Sequence, residues 1–219
     1  MKNIYIILAM LLSIHMSHAQ QWDQLGLDIN GEAESDYSGI AISLSTDGST
    51  LAIGATFNDG NGSNSGHVRV YSWNGTAWVQ LGSDIDGENF SDYSGTSVSL
   101  SSDGSILAIG AVGNRQNGST TGHVRVYTWN GTSWTQMGTD IDGDSANDRF
   151  GQSVSLSSDG NTLAVGAHAS GGTAGYVRVY SWSVTSWNQM GSDIDGEATG
   201  DRAGYSISLS SDGSILAIG

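Results

Sequence analysis

Cysteine is absent from the 219-residue chain, which excludes disulfides, zinc–thiolate centres and thiol catalysis together. Positive charge is scarce: seven Lys and Arg stand against 22 Asp and Glu, a formal net charge of −15 at pH 7. Such a chain repels nucleic acids and anionic membrane surfaces, so no nucleic-acid partner is expected, whereas cations and basic or neutral surfaces remain open. Long apolar runs are also missing. Beyond the first 20 residues no stretch is long and apolar enough to span a membrane, so no membrane insertion of the mature chain is expected. Apolar residues nevertheless make up 37%, which argues against a disordered tail, and the length suffices for one sizeable core. Glycine is what the chain has in excess: 32 residues, about twice the usual share.

The N-terminus reads as an export signal. Lys2 supplies a short positive region, residues 4–14 are apolar apart from Ser13, and Ser17-His18-Ala19 before Gln20 forms a small-residue cleavage site. A signal peptide over 1–19 and a secreted or cell-surface location are expected; the alternative is an N-terminal transmembrane anchor, for which the run falls short of the ~20 residues a spanning helix needs.

Repetition dominates the remainder. The segment 39–54 returns at 95–110, 151–166 and 204–219, at intervals of 56, 56 and 53 residues. The shortfall in the third unit falls between Ala167 and Gly175 and marks a surface loop. Each unit reads as four strands. In unit three the first is 153–157, with strict alternation, followed by a Ser158-Asp159-Gly160 turn. The second is 163–167 and the third 176–180, with counterparts of the third at 67–71 and 123–127. Asn74-Gly75 and Asn130-Gly131 predict hairpin turns with both residues at positive φ. A fourth strand runs through Trp78-Val79-Gln80-Leu81 and its repeats. A period in the fifties with four antiparallel strands per unit predicts an all-β fold, a β-propeller of four-stranded blades with about three and a half blades present. The division is 20–38 as N-terminal strand and linker, 39–94, 95–150 and 151–203 as complete repeats, and 204–219 as a partial fourth. Trp22-Asp23-Gln24-Leu25-Gly26 resembles a fourth strand, as if the N-terminus completed a last blade, and the ring is expected to need further residues to close.

Phe150-Gly151-Gln152-Ser153-Val154, then Leu163-Ala164-Val165-Gly166-Ala167, then Gly175-Tyr176-Val177-Arg178-Val179-Tyr180 resemble one FG-GAP repeat. That family builds the seven-bladed propeller of integrin α subunits and of many exported bacterial proteins, so the resemblance implies a propeller and a binding or adhesion role. The FG pair is complete only at Phe150-Gly151; the matching pairs are Ser38-Gly39, Ser94-Gly95 and Ala203-Gly204. The family's calcium loop between the first two strands is here cut to Ser-Asp-Gly or Thr-Asp-Gly, and one carboxylate cannot supply the 6–8 oxygens calcium takes.

Another acidic cluster recurs between units. Asp84, Asp86, Glu88 and Asp92 share their spacing with Asp140, Asp142, Asp144 and Asp148 and with Asp193, Asp195, Glu197 and Asp201, the first copy being Asp28, Asn30, Glu32 and Asp36. Oxygen ligands at relative positions 1, 3, 5 and 9 with Gly at 4 resemble half a calcium loop without its closing Glu, making Ca2+ the one cofactor to expect; the alternative is a solvated turn duplicated with its unit. Arg69, Arg125 and Arg178 sit mid-strand between valines and are expected to pack between blades, paired to those aspartates, with a ring of guanidinium groups binding an anionic ligand as the alternative. The pairs Trp73/Trp78, Trp129/Trp134 and Trp182/Trp187 flank the hairpins and are read as packing, with a stacking platform as the alternative. Asn74 and Asn130 are formal glycosylation sequons that turn chemistry explains without a glycan. His67 and His123 occupy the position that Tyr176 fills in unit three, His168 is unrepeated, and no catalytic constellation accompanies them. The expected function is an exported module binding an extracellular protein or glycan, without catalytic residues. A structural spacer of a large surface protein, or the non-catalytic part of a secreted hydrolase or lyase, are the alternatives.

Overall fold

The computed structural model describes residues 22–115, 120–168 and 173–219; the expected signal peptide at 1–19 lies outside them. Unit one comprises β1 (Ser38–Leu44), β2 (Thr50–Ala55), β3 (His67–Trp73), β4 (Trp78–Gln80) and β5 (Ile85–Asp86). Unit two comprises β6 (Ser94–Leu100), β7 (Ile106–Ala111), β8 (His123–Trp129), β9 (Trp134–Gln136) and β10 (Ile141–Asp142). Unit three comprises β11 (Phe150–Leu156), β12 (Thr162–Ala167), β13 (Tyr176–Trp182), β14 (Trp187–Gln189) and β15 (Ile194–Asp195), and a two-stranded sheet of β16 (Ile207–Leu209) and β17 (Leu216–Ile218) follows. Among the described residues the fold is all-β, with no helix, and the sheets do not close into a ring.

Each full unit is an antiparallel meander. In unit one the order is β1-β2-β3-β4, with β5 also on β3. The predicted fourth strand is in fact broken in two: β4 pairs with Tyr71, Ser72 and Trp73, while β5 pairs with His67 and Val68 at the other end of the same edge. Gly82, at φ +82°, turns the chain out between them and seats it against Trp129 and Trp134 of the next unit. Each tryptophan pair is therefore a clasp. Trp78, Trp134 and Trp187 donate their indole N–H to the carbonyls of Leu25, Leu81 and Met137, at 3.1, 3.0 and 3.1 Å. Residues 22–26, read from sequence as a fourth strand, form no strand; they dock on the Trp73/Trp78 clasp as 81–82 dock on the next.

The core lies between units. Val98 and Leu100 of β6 pack with Ala52, Val68 and Val70 of unit one, and Val154 and Leu156 of β11 pack with Ala108, Val124 and Val126 of unit two. The polar face of the alternating first strand is also used. Ser43, Ser99 and Ser155 each accept, through Oγ, the backbone N–H of Leu100, Leu156 and Leu209 in the following unit, at 2.9–3.0 Å. The matching apolar face of β1 has no such cover: Ile42 is 67% and Leu44 55% exposed.

The Asn-Gly hairpins differ from the sequence expectation. Only the glycine takes positive φ, +96° at Gly75 and +98° at Gly131. The loop holds four residues between paired tryptophans, and Asn74 Oδ1 accepts from Thr76 N, Thr76 Oγ1 and Ala77 N. The asparagine side chain supplies the turn's hydrogen bonds, so its own backbone need not be left-handed. In unit three the glycine position is Val184, exposed and at φ +76°. A β-branched residue there carries ~1–2 kcal/mol of strain. Val184→Gly is expected to raise stability by about 1 kcal/mol after glycine's entropic cost, measured by urea denaturation. A loss would mean that Val184 makes contacts outweighing its backbone.

Candidate functional site

The Ser-Asp-Gly turns do not fit a metal. Asp47 Oδ1 accepts from Ser45 Oγ, Ser49 N and Ser49 Oγ, and these bonds pull its pKa down to about 2. Asp103, Asp159 and Asp212 close their turns in the same way and are likewise shifted down. Each carboxylate is already used by its own turn.

The acidic junctions separate by position. The last members cap their loops: Oδ2 of Asp92, Asp148 and Asp201 accepts the N–H three residues upstream, at 2.7–2.9 Å. The first members, Asp84, Asp140 and Asp193, take one bond from a glutamine amide (Gln80, Gln136, Gln189) at 2.6–2.8 Å and turn toward the third strand of their unit. Asp86, Asp142 and Asp195 lie in the two-residue strands; desolvation raises the carboxyls of Asp86 and Asp142, although Asp86, like Asp195 and Glu197, keeps an exposed surface. Among the described residues, no three carboxylates of one loop come close enough to share an ion.

Groups from successive loops do come together. Glu88, His123 and Asp140 place one ligand atom each within 4.8 Å of one another, and so do Glu32, His67 and Asp84. The glutamate enters from the loop before the unit, the histidine from its third strand, and the aspartate from the loop after it. His123 Nδ1 is 3.6 Å from Asp140 Oδ2, and the imidazole beside that carboxyl holds its pKa below the usual range. In unit three the matching residues are Asp144, Tyr176 and Asp193, and Arg178 closes the gap itself. Its Nε and Nη2 donate to Asp193 at 2.8 Å, and Nη2 also donates to Asp144. These bonds raise the Arg178 pKa and lower that of Asp193. Arg69 and Arg125 bond backbone carbonyls instead, Asn30 and Asp86, and stand 3.9 and 3.7 Å from Glu32 and Glu88. The expected pairing to aspartate is thus met by Arg178. The other two reach only the longer glutamate.

Sequence reasoning missed a second feature. Tyr37, Tyr93, Arg149 and Arg202 occupy one repeated position, all at φ between +53° and +58°. Four non-glycine residues in the left-handed region at one repeated site carry backbone strain of the kind that clusters at binding sites. Tyr37, Phe57 and Tyr93 form an aromatic row with centroids 4.9 and 5.6 Å apart. Phe57, Tyr93, Thr96, Asn147 and Arg149 line a cavity of about 390 Å3 between units. Arg115 lies over the exposed ring of Phe90, 5.7 Å from its centroid. Arg115, Arg149 and Arg202 make no ion pair with a described carboxylate.

His168 sits in this face, T-shaped against Tyr205 at 5.4 Å. Burial lowers its pKa below 6.5, and the charges of Arg149 and Arg202 add to the effect. The unfolded imidazole titrates near 6.5, so as pH falls through that value the unfolded state takes up the proton first and stability drops. His168→Val, matching Val112 of unit two, should lose less stability than the parent between pH 7 and about pH 5.5, as followed by urea denaturation. Equal losses would show that His168 does not carry the pH dependence.

Comparison with known proteins agrees with this architecture. Residues 30–71 and 134–180 match the FG-GAP repeat model. No curated protein matches the chain. Among solved structures, a provisionally assigned 6-phosphogluconolactonase from Bacteroides uniformis superposes with TM-score 0.55 at 10% identity, over 81% of this chain and 46% of that one. TolB from Acinetobacter baumannii gives 0.46 at 15% identity, over 83% and 37%. Sqt1 from Saccharomyces cerevisiae gives 0.48 at 15% identity, over 76% and 37%. The chain thus spans less than half the length of each. The likeness concerns fold alone. The segments 30–71 and 134–180 are thus FG-GAP repeats, and the repeated antiparallel sheets that hold them are propeller-like blades.

Proposed function

We propose that the chain is an exported, non-catalytic binding module that presents its repeats (39–94, 95–150, 151–203 and 204–219, after a signal peptide at 1–19 and a linker at 20–38) to an extracellular protein or glycan. One observation carries this reading: the repeated left-handed position places Tyr37, Tyr93, Arg149 and Arg202 along one face, beside a cavity. Aromatic rings there offer a stacking surface for sugar rings. Three arginines without an ion pair to any described carboxylate, in a chain of net charge −15, offer charge-assisted hydrogen bonds to a carboxylate. The preferred ligand is therefore an oligosaccharide that is neutral apart from one acidic sugar, since a polyanion would meet the repulsion of the whole chain. The non-catalytic part of the reading is supported by the periodicity of the polar residues: His67 and His123, for instance, repeat one position.

The test is an array of neutral oligosaccharides beside the same oligosaccharides ending in one uronate. The chain should favour the uronate-terminated members, and Arg149→Ala should weaken that binding by about ten-fold or more, the loss of one hydrogen bond to a charged group. Tyr93→Ala should weaken binding to both sets. Equal binding of both sets by parent and Arg149→Ala would contradict the reading, and binding to proteins alone would move the ligand to the other class.

A further inference from the structure

We propose that Glu88, His123 and Asp140, and in the preceding unit Glu32, His67 and Asp84, each hold a divalent cation of the zinc class that pins a unit to the connector entering it. The acidic side chains alone would not carry this; His123 does. Its side chain is fully buried, both ring nitrogens lack a hydrogen-bond partner, and Nδ1 is aimed at Asp140. Buried polar groups are seldom left unpaired, and such a nitrogen asks for a ligand that the protein does not supply. His67 repeats the placement, 3.9 Å from Glu32 Oε2 and 3.8 Å from Asp84 Oδ2.

The donor set selects the ion. One imidazole and two carboxylates make a three-ligand set with a fourth position for water, which suits zinc. Calcium takes 6–8 oxygens, and two carboxylates fall well short. Donors around tetrahedral zinc stand about 3.4 Å apart for bonds of 2.0–2.2 Å, so the present separations, none above 4.8 Å, need only a small closure. An outer partner is at hand as well. Asp142 is the direct cross-strand neighbour of His123, and its Oδ1 is buried without a partner. Metal-bound histidines are commonly oriented by such a carboxylate.

Unit three supplies an internal control. There Tyr176 replaces histidine, and the Arg178 guanidinium bridges Asp144 and Asp193 across the same gap. A positive group fills the junction in unit three, and the proposed cation fills it in units one and two. Arg125, 3.7 Å from Glu88, offsets part of the negative charge but does not bridge it to Asp140.

Calorimetric titration of the metal-free full chain with ZnCl2 tests this directly. The parent should bind two ions, with the stoichiometry unchanged by excess CaCl2. His123→Tyr, the residue unit three itself carries, should bind one, and His67→Tyr/His123→Tyr none, while the near-UV dichroism stays native. Glu32→Gln/Glu88→Gln leaves both histidines in place and should weaken zinc binding at least ten-fold, which decides the matter if the tyrosine variants do not fold. Co2+ should give the intense visible absorption of a four-coordinate site in the parent and not in the double tyrosine variant. Absence of zinc uptake by the parent, two ions retained by the double tyrosine variant, unweakened zinc binding by the glutamine pair, or displacement of zinc by calcium would each overturn the proposal.

Discussion

Phe150→Ala is expected to lower stability by about 3–5 kcal/mol, among the largest effects of any side-chain truncation in this chain. Phe150 is the largest of the side chains with essentially no exposure. Its ring sits 6.3 Å from Tyr176 and 6.4 Å from Tyr180, under the Arg178 guanidinium at 5.8 Å. Truncation removes apolar burial, leaves a cavity held open by two ordered tyrosines, and loosens the support of the arginine that bridges Asp144 and Asp193. Units one and two carry Ser38 and Ser94 at the same position. The fold therefore does not demand phenylalanine there, but the Tyr176–Arg178 stack of unit three does. Urea denaturation measures the loss, and a value below about 1 kcal/mol would mean that the stack repacks without it.

Gly110→Ala should cost about 3 kcal/mol or more, for a different reason. A Cβ at Gly110 would collide with the carbonyl oxygen of Gly151, the backbone of the next unit's first strand. Neither side can yield, because β7 is laddered to β6 and β8 and β11 to β12. The same crossing recurs where Gly54 meets Gly95 and where Gly166 meets Gly204. Gly131→Ala provides the contrast. Gly131 has φ +98°, but a Cβ there would meet nothing within 4 Å, so only the backbone strain of about 1–2 kcal/mol is expected. Equal losses at the two positions would mean that the units do not cross so closely.

The strands were legible because each carries its own period. Alternation at 153–157, a short small-residue strand at 163–167 and the valines around Arg178 all fall within β11, β12 and β13 or one residue beyond. The break between β4 and β5 was not legible, because it is imposed by the tryptophan clasp of another unit. The hairpins were legible as turns but not by type, since the Asn74 side chain takes over bonds that a two-residue turn assigns to the backbone. At the junctions, spacing along one loop drew attention to Asp84, Asp86, Glu88 and Asp92 as a group. The fold instead sends Glu88 forward to His123 and Asp84 back to His67. Residues 35 positions apart, Glu88 and His123, meet only because one loop feeds the next sheet. The signal that could have found them was present: His67 and His123 share a repeated position that becomes tyrosine in unit three. The left-handed Tyr37, Tyr93, Arg149 and Arg202 recur in register with the units, but neither residue type announces positive φ.

Each unit is completed by its neighbour, and backbone hydrogen exchange tests this dependence most directly. β1 and β6 have the same length, the same bulge and a single antiparallel partner each, β2 and β7. They differ in cover: Leu100 is 8% exposed in β6, and its counterpart Leu44 is 55% exposed in β1. Amides of β6 and β11 are expected to exchange at least ten-fold more slowly than the matching amides of β1. Equal protection of β1 and β6 would show that each sheet is stable by itself, and would contradict completion by the neighbour.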